Sequence, residues 1–295
     1  MKDDIKGLAA GIAINTSLTS LDITESFIYD EAINLLNLFK ETNQLISVGL
    51  GSCRLSHKEA NAVSDYVGSS SSLTSIDLRA NHFGAEGGMA IAEGLRLSVS
   101  LTSLGLGLTD LKDEGVASIC DALQNNDKTK LASLEIEANN IGTSGAKSVA
   151  AMLAVTPSLT WLNIGSNNFA SDDYLLMGNA LLNSTTSKLA GLKCNAFEVP
   201  LGAISCKLTF KKENVWPEAT TLLAGVLKSN TSLRAVNLNG TRVGPIGGEA
   251  FCKMLLVNTS LTDVNLCSTG LGEDDKRALR VATRGKPDFQ ISLLN

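Results

Sequence analysis

The feature that most constrains this chain is a motif that returns about every 28 residues. The motif is LxxLxLxxNxLxxxGxxxLxxxL, and it is clear in LTSIDLRANHFGAEGGMAIAEGL at 73–95 and in the related stretch at 131–153. Positions 1, 4, 6 and 11 of ten such copies make forty sites, and only one of the forty is not apolar. This regularity predicts a stack of similar units rather than one enlarged core. The ten copies begin at Leu18, Leu45, Leu73, Leu101, Leu131, Leu159, Leu189, Ser205, Leu233 and Leu261.

Each copy predicts a short strand followed by a helix. Positions 4 and 6 are apolar and flanked by residues that face the other way, as in a strand with one buried face. The second half of a copy, such as SGAKSVAAML at 144–153, carries apolar residues at helical spacing. The predicted fold is therefore an α/β solenoid, a curved horseshoe with a parallel β-sheet on its concave face and helices on its convex face.

Position 9, at the bend after the strand, is predicted to hold a ladder of small side chains. Such side chains can form hydrogen bonds with backbone groups that would otherwise be buried without partners. The ladder residues are Cys53, Asn81, Thr109, Asn139, Asn167, Thr241 and Thr269.

The repeats divide the chain into three segments. Residues 1–17 are predicted to form the helical half of an incomplete unit, either a cap or the end of a unit that begins upstream. The array occupies 18–288, and a closing strand occupies 289–295. The copy at 189–204 has only 16 residues, too few for a helix, so two strands should follow each other there. This short copy is either a deletion that the stack tolerates or a joint between two sub-arrays.

The motif resembles the leucine-rich repeat family, in particular its ribonuclease-inhibitor-like class with a strand and a helix in each unit. The resemblance covers nearly the whole chain and implies the solenoid described above. The family includes inhibitors, scaffolds, immune receptors and small-GTPase activators, so the resemblance does not select one function.

Composition and charge narrow the classes of function. A net charge of −5 gives no general reason to expect nucleic-acid binding. No apolar run approaches the roughly 20 residues of a membrane span, and the acidic start MKDDIKGL is unlike a secretory signal. The six cysteines lack CxxC spacing and are expected to be reduced. These features favour a cytoplasmic location, with the nucleus as an alternative.

Motifs for catalysis or cofactor binding are absent from the sequence. It contains no GxxxxGK[ST] phosphate loop, no HExxH and no CxxC spacing. Glycosylation-type NTS sequences occur at Asn15, Asn230 and Asn258, but each falls at a predicted helix-to-strand turn, where we expect a structural role. We expect a protein without enzyme activity, cofactor, metal or small-molecule substrate.

The outward strand positions 3, 5 and 7 are the predicted partner-binding surface. Acidic residues dominate these positions up to Glu137, basic residues gather around the short copy, and Trp161 lies between the two groups. An aromatic side chain on an exposed strand face is a candidate anchor for a partner, although it could instead cover small neighbours. The predicted partner-binding residues are Glu135, Glu137, Trp161, Asn163, Lys193, Lys207, Lys211, Arg234 and Asn237.

The primary hypothesis is a non-enzymatic module or scaffold that binds another protein through the concave sheet and adjoining loops. Charge complementarity would guide this association. The alternative is a GTPase-activating regulator of a small GTPase, because the Ran GTPase activators share this repeat class. No motif carries their residues over to this chain, and their long acidic C-terminal tail is missing. An immune-type sensor would need an attached nucleotide-binding domain.

Overall fold

The structure is a computed structural model that describes residues 2–28, 31–202, 206–210 and 215–294. Helices and strands alternate along these residues. The helices are α1 (Lys2–Ile14), α2 (Ala32–Thr42), α3 (His57–Ser69), α4 (Gly84–Leu97), α5 (Lys112–Asn125), α6 (Thr143–Val155), α7 (Ser171–Asn183), α8 (Pro217–Leu227), α9 (Gly244–Val257) and α10 (Glu273–Thr283). The strands are β1 (Ser20–Asp22), β2 (Ser47–Gly49), β3 (Ser75–Asp77), β4 (Ser103–Gly105), β5 (Ser133–Glu135), β6 (Trp161–Asn163), β7 (Gly191–Lys193), β8 (Glu198–Val199), β9 (Lys207–Thr209), β10 (Ala235–Asn237), β11 (Asp263–Asn265) and β12 (Gln290–Ser292).

The strands follow the repeat that is visible in the sequence. Strands β1 to β7 and β9 to β11 each begin two residues after a predicted unit start, as Ser75 follows Leu73. The middle residue of a typical strand is buried and its neighbours are partly exposed; Ile76 of β3 is 1% exposed. The α/β repeat fold predicted from the sequence is confirmed.

The chain divides into two compact units. Unit 1 comprises Met1–Met152 and Asn163–Asn168, and unit 2 comprises Leu153–Leu162 and Phe169–Asn295. Helix α6 and strand β6 therefore contribute residues to both units.

In unit 1, strands β1 to β5 pair in parallel, each with the next strand along the chain. Their register aligns equivalent positions of successive copies, so that Ser75 lies opposite Ser103. The core behind the sheet is built from the apolar positions of the motif, and Leu104, Leu106 and Leu111 are fully buried. Removal of these side chains from water, at about 25 cal/mol per Å² of apolar surface, is the main stabilising contribution.

The bend after each strand passes through the left-handed region of backbone conformation. Position 8 has φ of 56° at Ala80, 58° at Leu108 and 52° at Ala138. A residue with a side chain costs roughly 1–2 kcal/mol there. Backbone hydrogen bonds to the next copy offset this cost, since the Ala80 N–H donates to the carbonyl of Gly107 at 2.9 Å.

In unit 2, the series of parallel strands is interrupted at the short copy. Strands β9 to β12 form a separate parallel sheet. Between β7 and β9 the chain adds β8, which pairs antiparallel with β7 and places Leu192 opposite Val199. The repeat pattern predicts two successive strands here but does not predict β8. Among the residues that the structure describes, no helix lies between α7 and α8.

Because the short copy supplies no described helix, α7 and α8 pack directly against each other. A Cβ at Gly178 would lie only 2.5 Å from the backbone nitrogen of Leu222. A Cβ at Gly225 would lie 2.8 Å from Cβ of Leu181. Every residue of α8 from 219 to 227 is buried. Helix packing thus continues across the point where the sheet is interrupted.

We predict that Gly178→Ala lowers the free energy of unfolding by about 2–3 kcal/mol, because the added methyl group meets backbone atoms that cannot rotate away. The matched control is Gly11→Ala in α1, where a Cβ meets nothing within 4 Å. The control should be neutral or stabilising by up to about 1 kcal/mol. Urea unfolding measures both variants, and equal effects would show that the contact between α7 and α8 is looser than described.

Candidate protein-binding surface

The outer strand face of unit 1 consists of the side chains at positions 3, 5 and 7 of the copies that contain β1 to β5, which point away from the buried core. Serine occupies position 3 in all five strands. Glycine occupies several of the other positions, including Gly49, Gly105 and Gly107. These small residues leave room for charged side chains of neighbouring strands to lie flat on the sheet.

Arg79 crosses this face above Gly105. Its Nε and Nη2 atoms donate to the two carboxylate oxygens of Asp77 at 3.0 and 2.8 Å. Its Nη1 atom lies 3.3 Å from Oε2 of Glu135. A Cβ at Gly105 would lie 3.3 Å from Cγ of Arg79, so the glycine provides the space that lets the guanidinium reach from β3 to β5. The three charged side chains line a shallow depression of about 250 Å³.

The electrostatics of this group are dominated by the contact between Asp77 and Arg79. Burial acts to raise the pKa of Asp77, but the hydrogen bonds and positive charge of Arg79 outweigh it and hold the pKa below its ordinary value. Hydrogen bonding to Asp77 in turn raises the pKa of Arg79. Both side chains keep substantial exposure, so the pair contributes at most about 1 kcal/mol to stability. Its main effect is to fix the shape and charge of the surface.

The outer strand face of unit 1 is acidic. Asp22 lies against Gly49, and the carboxylate of Glu137 lies over Gly107 in the same manner. The described charged residues of this face are four carboxylates and one guanidinium. They are Asp22, Asp77, Arg79, Glu135 and Glu137.

Beneath this face, the position-9 side chains of unit 1 form a hydrogen-bonded ladder. Oδ1 of Asn139 accepts from the backbone N–H groups of Thr109 and Leu111 at 3.1 and 3.0 Å. Nδ2 of Asn139 donates to the carbonyl of Leu106 at 2.7 Å. Asn167 repeats the pattern one copy later and accepts from the N–H of Asn139 at 2.9 Å. Each amide therefore links its own bend to the bend of the preceding copy.

Other ladder positions also bond backbone groups at the bends. Asn81 donates to the carbonyls of Leu50 and Leu78 at 2.9 and 2.8 Å. The thiol of Cys53 lies 3.2 Å from a backbone carbonyl of the preceding copy. In unit 2, the hydroxyls of Thr241 and Thr269 each donate to the carbonyl three residues earlier, at 2.7 and 2.6 Å.

Short polar side chains at position 5 stabilise the end of the strand. Five of them accept a hydrogen bond from the backbone N–H two residues further on, at 3.0–3.1 Å. Asn163 and Asn237, which we predicted as partner-binding residues, therefore already have an internal contact through Oδ1. The five residues are Asp22, Asp77, Asn163, Asn237 and Asn265.

In unit 2, the ring of Trp161 lies against Gly191. A Cβ at Gly191 would come within 2.6 Å of Cε3 of the indole and within 2.8 Å of Cγ of Leu201. Trp161 is half-buried. It therefore covers a small neighbour and still exposes part of its ring.

The predicted basic residues of unit 2 have different surroundings. Nζ of Lys193 lies 3.6 Å from a carboxylate oxygen of Glu198 on β8. The guanidinium of Arg234 donates to two backbone carbonyls at helix-to-strand turns, at 2.9 and 3.2 Å. Lys207 on β9 is exposed. Lys211 lies outside the described residues.

Arg79 and Asp77 are not among the partner-binding residues predicted from the sequence. The signal that could have found them is the pair of glycines at positions 5 and 7 of one copy, Gly105 and Gly107, between copies that carry charged residues there. Two glycines in an exposed strand indicate that neighbouring side chains need the space.

The helix-to-strand turns contain a second set of buried amides. Asn230 and Asn258 are 2% and 3% exposed. Oδ1 of Asn258 accepts from the backbone N–H of Leu261 at 2.8 Å, and Nδ2 donates to the carbonyl of Leu227 at 2.7 Å. Their burial leaves no room for a glycan on either side chain.

Within the described ranges, no group of three or more His, Cys, Asp or Glu residues is placed to hold a metal ion. The helices described are all too short or too polar to cross a membrane.

The geometry defines a class of repeat protein in which parallel strands, hydrogen-bonded bends and helices recur with a fixed period. A family model described as Leucine Rich repeat matches residues 69–92, 98–120 and 229–252. The chain is a leucine-rich repeat protein.

Comparison with known proteins finds similar chains along most of its length. NACHT, LRR and PYD domains-containing protein 3 of Bos taurus is 25% identical over 318 residues, which cover 97% of this chain and 29% of the relative. NACHT, LRR and PYD domains-containing protein 12 of Mus musculus is 24% identical over 279 residues, covering 84% and 25%. The solved structure of the leucine-rich repeat-containing protein LegL7 from Legionella pneumophila has a TM-score of 0.48 at 17% identity and covers 95% of this chain and 84% of that one. The chain spans less than a third of the length of these two curated relatives.

We predict that Asn139→Ala lowers the free energy of unfolding by about 3 kcal/mol, because it leaves several buried backbone groups without their partner. The control is Asn168→Ala, which removes an exposed amide from the neighbouring bend and should change stability by less than about 0.5 kcal/mol. Thermal and urea unfolding measure the difference. A small effect of Asn139→Ala would mean that water or a local shift replaces the ladder contacts.

Proposed function

We propose that this chain is a non-enzymatic module that binds another protein through its outer strand faces and the adjoining loops. Leucine-rich repeat proteins are protein-interaction modules. The observation that supports this role most directly is the open acidic surface around Arg79 in unit 1. The depression there is shallow and polar, whereas small-molecule sites are enclosed and mostly apolar.

The charge of the surface favours a partner with a basic segment. The four carboxylates of the outer strand face attract cations, and such complementarity increases association rates and suppresses wrong partners. Glu135 is central to this proposal because its carboxylate lines the depression and lies 3.3 Å from the Arg79 guanidinium. A basic side chain of the partner could approach the same carboxylate from solvent.

Unit 2 offers a second contact region for the same partner or another one. Trp161 exposes part of its ring, and partly exposed aromatic residues are common anchors in interfaces. Lys193, Lys207 and Arg234 are exposed cationic side chains of this unit, and they favour an acidic part of a partner.

The proposal concerns this repeat region alone. The names of these relatives refer to NACHT and PYD domains, and the chain covers only 29% of the bovine relative. No contact among the described residues favours the alternative of small-GTPase regulation.

We predict that Glu135→Lys removes specific partners when the full chain is used for affinity capture from native extract. Its matched control is Asp127→Lys, which makes the same charge change at an exposed turn before β5. For a purified partner, Kd should rise at least about tenfold with Glu135→Lys and stay nearly unchanged with the control. The affinity of the wild-type chain should also fall as salt is added.

Trp161→Ala tests unit 2 in the same capture. Circular dichroism and urea unfolding establish that each variant is folded. A partner list that is unchanged by Glu135→Lys would place binding away from the acidic face and contradict its proposed role.

A further inference from the structure

The outer strand face of unit 1 alternates between strands that carry acidic side chains and strands that carry none. Aspartate or glutamate occupies position 5 of β1, β3 and β5, and glycine occupies it in β2 and β4. Position 7 of these copies has glycine in the same two. The alternation leaves two troughs, the first trough over Gly49 and the second trough over Gly105. In register order across the sheet, the position-5 residues are Asp22, Gly49, Asp77, Gly105 and Glu135.

The second trough holds a guanidinium. A Cβ at Gly105 would lie 3.0 Å from a carboxylate oxygen of Asp77, 3.3 Å from Cγ of Arg79 and 3.5 Å from its Cδ. Beyond this stem, the guanidinium donates to both oxygens of Asp77 and approaches Glu135 on the far side of the trough. The second trough therefore shows, within the molecule itself, how this face binds an arginine side chain.

The first trough has the same construction without the arginine. A Cβ at Gly49 would meet the carboxylate of Asp22 first and would lie 3.2 Å from Oγ1 of Thr24. Asp22 thus has the place that Asp77 has two copies later, and Thr24 has the place of Arg79. Threonine has no atoms equivalent to the guanidinium, so the position that the cation occupies in the second trough is not filled by Thr24.

The first trough carries negative charge on both sides. Asp22 and Asp77 are the register neighbours of Gly49 on β1 and β3. Hydrogen bonding to Thr24 lowers the pKa of Asp22, so this carboxylate is ionised at neutral pH. Burial raises the pKa of the Cys53 thiol after β2, and the charges of both carboxylates act in the same direction. Arg79 offsets the charge of Asp77, but no lysine or arginine of the described residues pairs with Asp22.

We propose that the first trough binds an arginine side chain of the protein partner. This inference rests on the proposed function, because it names the residue that the basic segment of the partner places on the acidic face. The arginine stem lies on Gly49 as Arg79 lies on Gly105, and the guanidinium donates to Asp22. Arginine suits the site better than lysine, because its planar fork of N–H donors can bond both oxygens of one carboxylate.

The first test titrates the isotope-labelled full chain with Nα-acetyl-arginine amide and follows the backbone amide signals of Gly49 and Gly51 by NMR. The lysine analogue carries the same charge, and the citrulline analogue has nearly the same shape without charge. Ionic strength is held constant, because salt screens exposed charges. We expect saturable shifts at both glycines with the arginine compound, at least about fivefold weaker binding of the lysine compound and no binding of the citrulline compound.

The second test removes the negative charge of Asp22 and keeps its structural contact. Asn163, Asn237 and Asn265 occupy position 5 in other copies and accept the same backbone hydrogen bond, so Asp22→Asn should fold normally. We expect the arginine compound to bind at least about tenfold more weakly to Asp22→Asn. The matched control is Asp127→Asn at an exposed turn, which should leave this binding unchanged.

The third test supplies the missing arginine from the chain itself. Thr24→Arg places a guanidinium where Arg79 has its own in the second trough, so the site should be occupied internally. We expect binding of the arginine compound at Gly49 to weaken at least about tenfold. The control is Thr16→Arg, which adds the same charge at an exposed bend before β1 and should change binding by less than about twofold.

The outcomes separate this inference from the proposed function. Equal binding of the arginine and lysine compounds, or no saturable shift at Gly49 at tens of millimolar, would overturn the arginine site. An unchanged list of captured partners with Asp22→Asn would overturn it too. If Glu135→Lys nevertheless removes partners, the acidic face keeps its proposed role and only the arginine site is wrong. Partner lists unchanged by both variants would contradict the role of the acidic face as well.

Discussion

The buried amide at position 9 is the contact on which the regular part of the structure depends. A strand that bends toward a helix inside the core would leave backbone donors and acceptors without partners, at about 1–3 kcal/mol for each group. Asn139 satisfies groups of its own copy and of the preceding one, and Asn167 does the same one copy later. Because these contacts lie beneath the sheet, the outward positions are free to differ from copy to copy.

The glycines of the outer strand face determine where its charged side chains lie. Gly105 lets Arg79 lie across one strand and reach a carboxylate on the next, and Gly107 leaves space for Glu137. The result is a surface that is acidic overall and whose charged groups are held in place by their neighbours. A surface of this kind is already organised before a partner arrives, which reduces the entropy that binding must overcome.

The sequence predicts those parts of the structure that repeat. The 28-residue period predicts the starts of ten strands and the burial of residues such as Leu104 and Leu111, because each copy carries apolar residues at the same positions. The path of Arg79 depends on a glycine in another copy, and a motif within one copy does not contain that information. The left-handed backbone conformation of Leu108 is not predictable from the sequence for a different reason. Leucine usually avoids this conformation. Strand β8 pairs antiparallel, against the direction that the period implies.

The short copy shows how the two layers of a repeat respond differently to a lost segment. Helices α7 and α8 can close the gap because Gly178 and Gly225 allow their backbones to approach. Strands cannot compensate in this way, because their spacing is set by the hydrogen bonds between neighbours at about 4.8 Å. The described strands therefore form two separate sheets on either side of the short copy, whereas α7 and α8 keep the helix layer continuous there.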